Sequence, residues 1–143
     1  RFADHHSNTL FDVLRWCRDV RHFRPDPVSD QQLIMLEQAM VLAPSSEKPS
    51  VARVRVESAE LRQRILNNHE NANRTAADQY EVERRRAYLS LKLAGLREAP
   101  VHLAVFTDLV PDAGHGLGRQ TMPETLTYST VIAIHSLWLV ADQ

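Results

Sequence analysis

Only two short stretches of this chain have strand character, and that scarcity constrains the fold more than any other feature. Val51 to Val56 alternates Val and Arg, a period of two that sets one face of a strand against a core and turns the arginines outwards or towards a ligand. Val101 to Phe106 is a near-continuous apolar run, the pattern of a buried strand, and Asp108, Pro111 and the glycines after them end it. A sheet of two strands is marginal alone, so helices must cover it, and another chain or a longer protein is needed to complete it. The expectation is an α+β fold, a mixed β-sheet flanked by helices and helix-rich, with residues 1–143 forming a single domain. The last helix still reads as apolar at Leu137-Trp138-Leu139-Val140, so the domain is expected to be incomplete at its C-terminus.

Around these strands the helices are marked by caps and breakers. Ser7 or Asn8 can cap a first helix through Leu10, Phe11, Val13, Leu14 and Trp16, whose spacing is helical. Ser29 caps a second helix with an apolar stripe at Leu33, Leu36 and Met40, ending before Pro44. Ser45 to Ser50 is a loop, Ala59 to about Leu66 a short helix, and Asn73 to Leu96 one long helical segment rich in helix formers. Its run Glu83-Arg84-Arg85-Arg86 reads as a solvated face. Pro123 opens a final helix from about Glu124.

The chemistry gathers at Arg15-Trp16-Cys17-Arg18-Asp19-Val20-Arg21, where a helix-like segment ends in guanidiniums around one carboxylate before Phe23-Arg24-Pro25-Asp26-Pro27 forces the backbone extended. Planar guanidinium donors match two phosphate oxygens at once, and an Asp held among them stays ionised and oriented. Two readings stand: an anion-binding site, or a helix end whose arginines complement the C-terminal dipole.

Composition excludes several classes. With 17 basic and 18 acidic residues there is no global case for nucleic acid. One cysteine, Cys17, excludes an internal disulfide and a multi-cysteine zinc site, and its thiol is expected to be buried and inert. No apolar run reaches membrane-spanning length and no signal peptide is seen, so a soluble, cytoplasmic protein is expected. The histidines are scattered without ligand spacing, so no metal is expected. Three of the four glycines fall in Gly114-His115-Gly116-Leu117-Gly118, which reads as a mobile connection or a dimer contact and does not fit a dinucleotide fingerprint.

Three segments in order carry a resemblance: Cys17 to Arg21 with Phe23-Arg24-Pro25-Asp26-Pro27; Tyr88-Leu89-Ser90-Leu91-Lys92-Leu93-Ala94-Gly95-Leu96-Arg97-Glu98-Ala99-Pro100; and Leu117-Gly118-Arg119-Gln120-Thr121-Met122-Pro123-Glu124 with Tyr128-Ser129. Together they resemble the BluB-type 5,6-dimethylbenzimidazole synthases, within the nitroreductase-like FMN proteins. The resemblance implies a nitroreductase-like fold lacking the family's C-terminal strand, and an enzyme that fragments reduced FMN with O2 to make the lower ligand of vitamin B12. It implies FMN as both cofactor and substrate, O2 as co-substrate, a homodimer, a separate flavin reductase as a further partner, and no nucleic-acid or membrane partner. It implies Asp19 and Ser129 as catalytic residues, with Cys17, Arg18, Asp19, Val20, Arg21, Ser45, Leu91 and Ser129 contacting flavin, and the helix ending at Leu93 as a lid. The loop Ser46-Glu47-Lys48-Pro49-Ser50 departs from the family in having neither glycine nor aromatic. Two alternatives therefore stay open: a generic FMN-dependent nitroreductase or cobalt-corrin reductase, and a degenerate non-catalytic relative acting as a dimerising domain.

Overall fold

The computed structural model describes residues 4–18, 20, 22–45, 51–90, 95–110 and 120–141, with the backbone alone for residues 4–7 and Ser90. In chain order the elements are α1 (Asp4–Trp16), α2 (Asp30–Leu42), β1 (Val51–Arg55), α3 (Ala59–Ala77), α4 (Val82–Ser90), α5 (Gly95–Glu98), β2 (Leu103–Thr107) and α6 (Thr125–Ala141). Strands β1 and β2 pair in a two-stranded sheet. The chain resolves into two compact units, one of residues 1–19, 28–54 and 104–143, the other of residues 20–27 and 55–103.

In the first unit, α2 starts where its sequence demands. Ser29 Oγ accepts from the Gln32 amide (3.3 Å), and the Ser29 amide donates back to Gln32 Oε1 (2.9 Å). This reciprocal pair satisfies two donors that a helix start otherwise leaves orphaned. The Ala43 amide closes the other end on the Met40 carbonyl (3.3 Å), and Pro44 prevents continuation. Buried Met40, Ala43 and Ala133 pack with Val51, Val105 and Leu137, so α2 and α6 bury against the sheet.

Helix α1 begins at Asp4, so Ser7 and Asn8 lie inside it rather than capping it. Its apolar residues do not form a buried stripe: Leu10, Phe11, Leu14 and Trp16 are exposed, Trp16 to 79%. Helical spacing alone does not say what covers the face it predicts.

Strand β1 divides its two arginines, expected to turn outwards or towards a ligand: Arg55 is exposed, whereas Arg53 is half-buried. The period of two puts Arg53 on the same half-buried face as Val51, while Val54 is exposed. Arg53 is tolerated there because its Nη2 donates to Glu37 Oε2 on α2 at 2.7 Å. The guanidinium holds the Glu37 carboxyl below its ordinary range, first by that hydrogen bond and then by charge. Strand β2 runs from Leu103 to Thr107 and is half-buried rather than enclosed, with Phe106 exposed.

The second unit replaces the expected short helix and long segment with three helices. Ser58 Oγ accepts from the Leu61 amide (3.2 Å), and α3 then runs uninterrupted to Ala77. The chain turns at Asp78–Glu81, where the Asp78 amide reaches the Arg74 and Thr75 carbonyls. Arg85 on α4 pairs with Asp78 (2.7 Å), and Tyr80 meets Tyr88 with ring centroids 5.3 Å apart, so α4 folds back beside α3.

Within this unit Arg62 on α3 holds two extended segments: its Nε donates to the Val56 carbonyl (2.8 Å) and its Nη2 to that of Pro100 (3.1 Å). The Val56 amide donates to the His102 carbonyl (2.9 Å). Burial pushes the His102 imidazole below the ordinary histidine value of 6.5, Arg62 adds to that shift, and a hydrogen bond with the Gly95 backbone opposes it. The unfolded chain thus binds the His102 proton more readily than the folded one. Its contribution to stability is complete above pH 6.5 and is lost as the pH falls through the lowered folded value. Thermal melting from about pH 7.5 to about pH 5 should show a midpoint that falls less steeply in His102→Gln than in the parent. Equal slopes would assign the acid sensitivity to other groups.

Candidate functional site

Among the sequence-predicted site residues, Ser129 is the one held most firmly. It lies on α6 at 5% exposure, beside buried Thr130 and one turn from Leu126, the most deeply buried large side chain described. Its Oγ donates to the Thr125 carbonyl (2.9 Å), which fixes the hydroxyl's direction. Thr107 Oγ1 on β2 donates to Thr130 Oγ1 (2.7 Å), and Thr130 Oγ1 donates to the Leu126 carbonyl (3.3 Å). This threonine bridge locks the register of α6 on β2 and so fixes where Ser129 sits. The sequence reading missed it, and two threonines in different elements carry no local signal.

Cys17 follows α1 directly, buried at 7% exposure, with its amide on the Val13 carbonyl (2.9 Å). Arg18 is exposed, and among the described residues its guanidinium makes one hydrogen bond, from Nη1 to the Cys17 carbonyl (2.7 Å). It lies over the C-terminal end of α1, where a cation complements the helix dipole. Val20 is 47% exposed and belongs to the second unit, whereas Cys17, Arg18, Ser45 and Ser129 belong to the first. Ser45 is half-buried just after the Pro44 break. Asp19, Arg21 and Leu91, the Ser46–Ser50 loop and the Gly114–Gly118 loop lie outside the described residues.

One more feature of the first unit bears on ligand chemistry. Arg53 Nε is buried without an acceptor among the described residues, a donor that costs free energy until an acceptor meets it. A guanidinium donor of this kind suits an anionic acceptor. Among the described residues no three His, Cys, Asp or Glu side chains gather as metal ligands, and no helix is long and apolar enough to cross a membrane.

Fold and site together define a class: the chain belongs to the nitroreductase family, whose model matches residues 14–143. It is 49% identical over 141 residues to the 5,6-dimethylbenzimidazole synthase of Rhodobacter capsulatus, an alignment covering 98% of this chain and 68% of that protein. Across the curated synthases that it matches, the chain spans 62–68% of their length. Among solved structures it is similar to a BluB-like flavoprotein from Clostridium difficile 630, with a TM-score of 0.65 and 22% identity over 92% of this chain and 68% of that one. It is also similar to oxidised iodotyrosine deiodinase bound to FMN and 3-iodo-L-tyrosine, with a TM-score of 0.71 and 20% identity over 93% of this chain and 68% of that one. These two likenesses establish the α+β nitroreductase-like fold. Family membership, with named synthases among the relatives, assigns the chain to the flavin-dependent oxidoreductase enzymes.

Proposed function

We propose that the chain is a 5,6-dimethylbenzimidazole synthase that takes reduced FMN as its substrate and O2 as co-substrate, and so supplies the lower ligand of vitamin B12. The observation that carries this reading is the 49% identity to a synthase of that name along nearly the whole chain. Flavin binding is further supported by the FMN in the iodotyrosine deiodinase neighbour and by the exposed guanidinium of Arg18.

In this reading Arg18 and Arg21 anchor the phosphate, because charge-assisted pairs are the strongest local contacts such a ligand has. Cys17, Val20, Ser45 and Leu91 line the flavin. Asp19 is the catalytic carboxylate, accepting or orienting a proton on the ribityl chain, and Ser129 positions a flavin edge atom through its hydroxyl. When bound, reduced flavin supplies the electrons for reaction with O2, and the protein's part is to bind, orient and exclude water.

A separate flavin reductase as donor, a cytoplasmic location and a homodimer belong to the same proposal. The dimer is supported by α6, which is apolar on nearly every side: beyond the face packed on α2 it exposes Val131, Ile132, Ile134 and Trp138. Sedimentation at micromolar concentration is expected to show a dimer, and a compact monomer would refute it.

Anaerobically reduced FMN is mixed with the protein, air is admitted and the products are separated by chromatography. Release of dimethylbenzimidazole is the expected result. Intact, reoxidised FMN as the sole product would reject the synthase reading and leave the reductase and non-catalytic alternatives.

A further inference from the structure

Within the first unit, the buried face of α6 is apolar except around Ser129 and Thr130. Ala133 belongs to the cluster with Met40 and Ala43, Leu137 and Val105 pack against that cluster, and Leu126 is 1% exposed. Residues 126, 130, 133 and 137 recur three or four apart and so share one face of the helix. On β2, Val105 and Thr107 point the same way because strand side chains alternate, while Phe106 between them is exposed. Thr107 Oγ1 donates to Thr130 Oγ1 at 2.7 Å, and Thr130 Oγ1 donates in turn to the Leu126 carbonyl at 3.3 Å. Among the described residues no other side-chain hydrogen bond joins β2 to α6.

Packing alone does not call for two hydroxyls here. A pair of valines has the same shape, and replacing both partners of a buried hydrogen bond by apolar groups of that shape is close to neutral for stability. What the threonines add is direction. Apolar burial is non-directional and tolerates a small turn of the helix about its axis, whereas a short O–H···O bond between two side chains of restricted χ1 does not. Ser129 is the next residue to Thr130 and is itself buried. Its Oγ is tied to the Thr125 carbonyl, so it moves with that turn of α6 as one body. A side chain stands about 5 Å from the helix axis, so a turn of about 10° carries that oxygen by about 0.9 Å. Misplacements of that size cost catalytic groups up to about a hundredfold.

We infer that Thr107 and Thr130 are positioning residues for the proposed chemistry, a hydroxyl pair that fixes the rotation of α6 and thereby the place of the Ser129 hydroxyl. The inference rests on the reading of Ser129 as a catalytic residue, and it adds two side chains that act on the reaction only through it.

The test uses the 143-residue chain, mixed with reduced FMN without air, with dimethylbenzimidazole measured over time after oxygen is admitted. FMN affinity by fluorescence quenching and the flavin-free thermal midpoint are measured for every variant. Thr107→Val is expected to lower the rate of product formation about tenfold and FMN affinity by less than about twofold. Thr107→Ser keeps the hydroxyl and should restore most of the rate. Thr107→Val combined with Thr130→Val refills the face with apolar groups, so its midpoint should return to that of the parent while its rate stays low. In the Ser129→Ala background, Thr107→Val should lower the rate no further, because a residue that acts through another has no effect once that other is gone.

With an active parent, a rate equal to the parent's in Thr107→Val or in the double valine variant would overturn the inference and leave the synthase reading standing. A loss of the same size with and without the Ser129 hydroxyl, or a Thr107→Ser variant no better than Thr107→Val, would also overturn it, because the pair would then serve the helix alone. A parent that returns FMN intact removes the synthase reading itself, and the positioning role falls with it.

Discussion

Asp19→Asn and Ser129→Ala are each expected to lower the yield of dimethylbenzimidazole by about a hundredfold or more while leaving FMN affinity nearly unchanged, the scale and signature of a group acting mainly in the transition state. Asparagine keeps the shape of Asp19 and its capacity to accept a hydrogen bond but cannot take up a proton. Alanine at position 129 removes a hydroxyl that donates to a carbonyl within its own helix, while the Thr107–Thr130 bond that holds α6 on β2 is untouched. Arg18→Ala should do the reverse. Among the described residues its guanidinium meets the Cys17 carbonyl alone, so its removal should leave the fold intact and weaken FMN by about 1.5–3 kcal/mol, the range of hydrogen bonds to charged groups. Quenching titrations give the affinities and chromatography after admission of air gives the product. Variants of Asp19 and Ser129 that release product at the parent's rate would remove both from the chemistry.

The parts of the fold legible in the sequence are those fixed by local chemistry. Helix α2 could be placed because Ser29, Gln32 and Pro44 each act within a few residues of themselves. The turn between α3 and α4 could not, because Asp78-Gln79-Tyr80-Glu81 contains neither glycine nor proline. It is held by Arg85 on Asp78 and by Tyr88 against Tyr80, contacts made only once α4 has folded back. Arg53 shows the same divide: its register with Val51 was readable, but its inward placement depends on Glu37, sixteen residues away on another element. In the candidate site, Ser129 and Arg18 were singled out through family motifs that mark chemistry, while the close approach of Phe23 to Gly95 joins two such motifs and is visible in neither alone.

Leu126→Ala is expected to cost about 2–5 kcal/mol of folding stability, the range for truncating a fully buried leucine where the surroundings cannot collapse into the cavity. Leu126 is 1% exposed, follows the first residue of α6, and offers its carbonyl to Thr130 Oγ1, which itself receives Thr107 Oγ1. A cavity there loosens the helix at the turn that carries Ser129, so product formation should fall along with stability. Urea denaturation at a constant m value measures the first effect. Val131→Ala on the same helix supplies the contrast, because Val131 is 57% exposed within this chain. As a monomer it should stay within about 0.5 kcal/mol of the parent. In a dimer that covers the outer face of α6, the same substitution should cost more, and the cost should grow as protein is diluted, because association adds to stability by mass action. A Val131→Ala midpoint that matches the parent at every concentration would place the dimer contact away from α6, while the Leu126→Ala loss would stand unchanged.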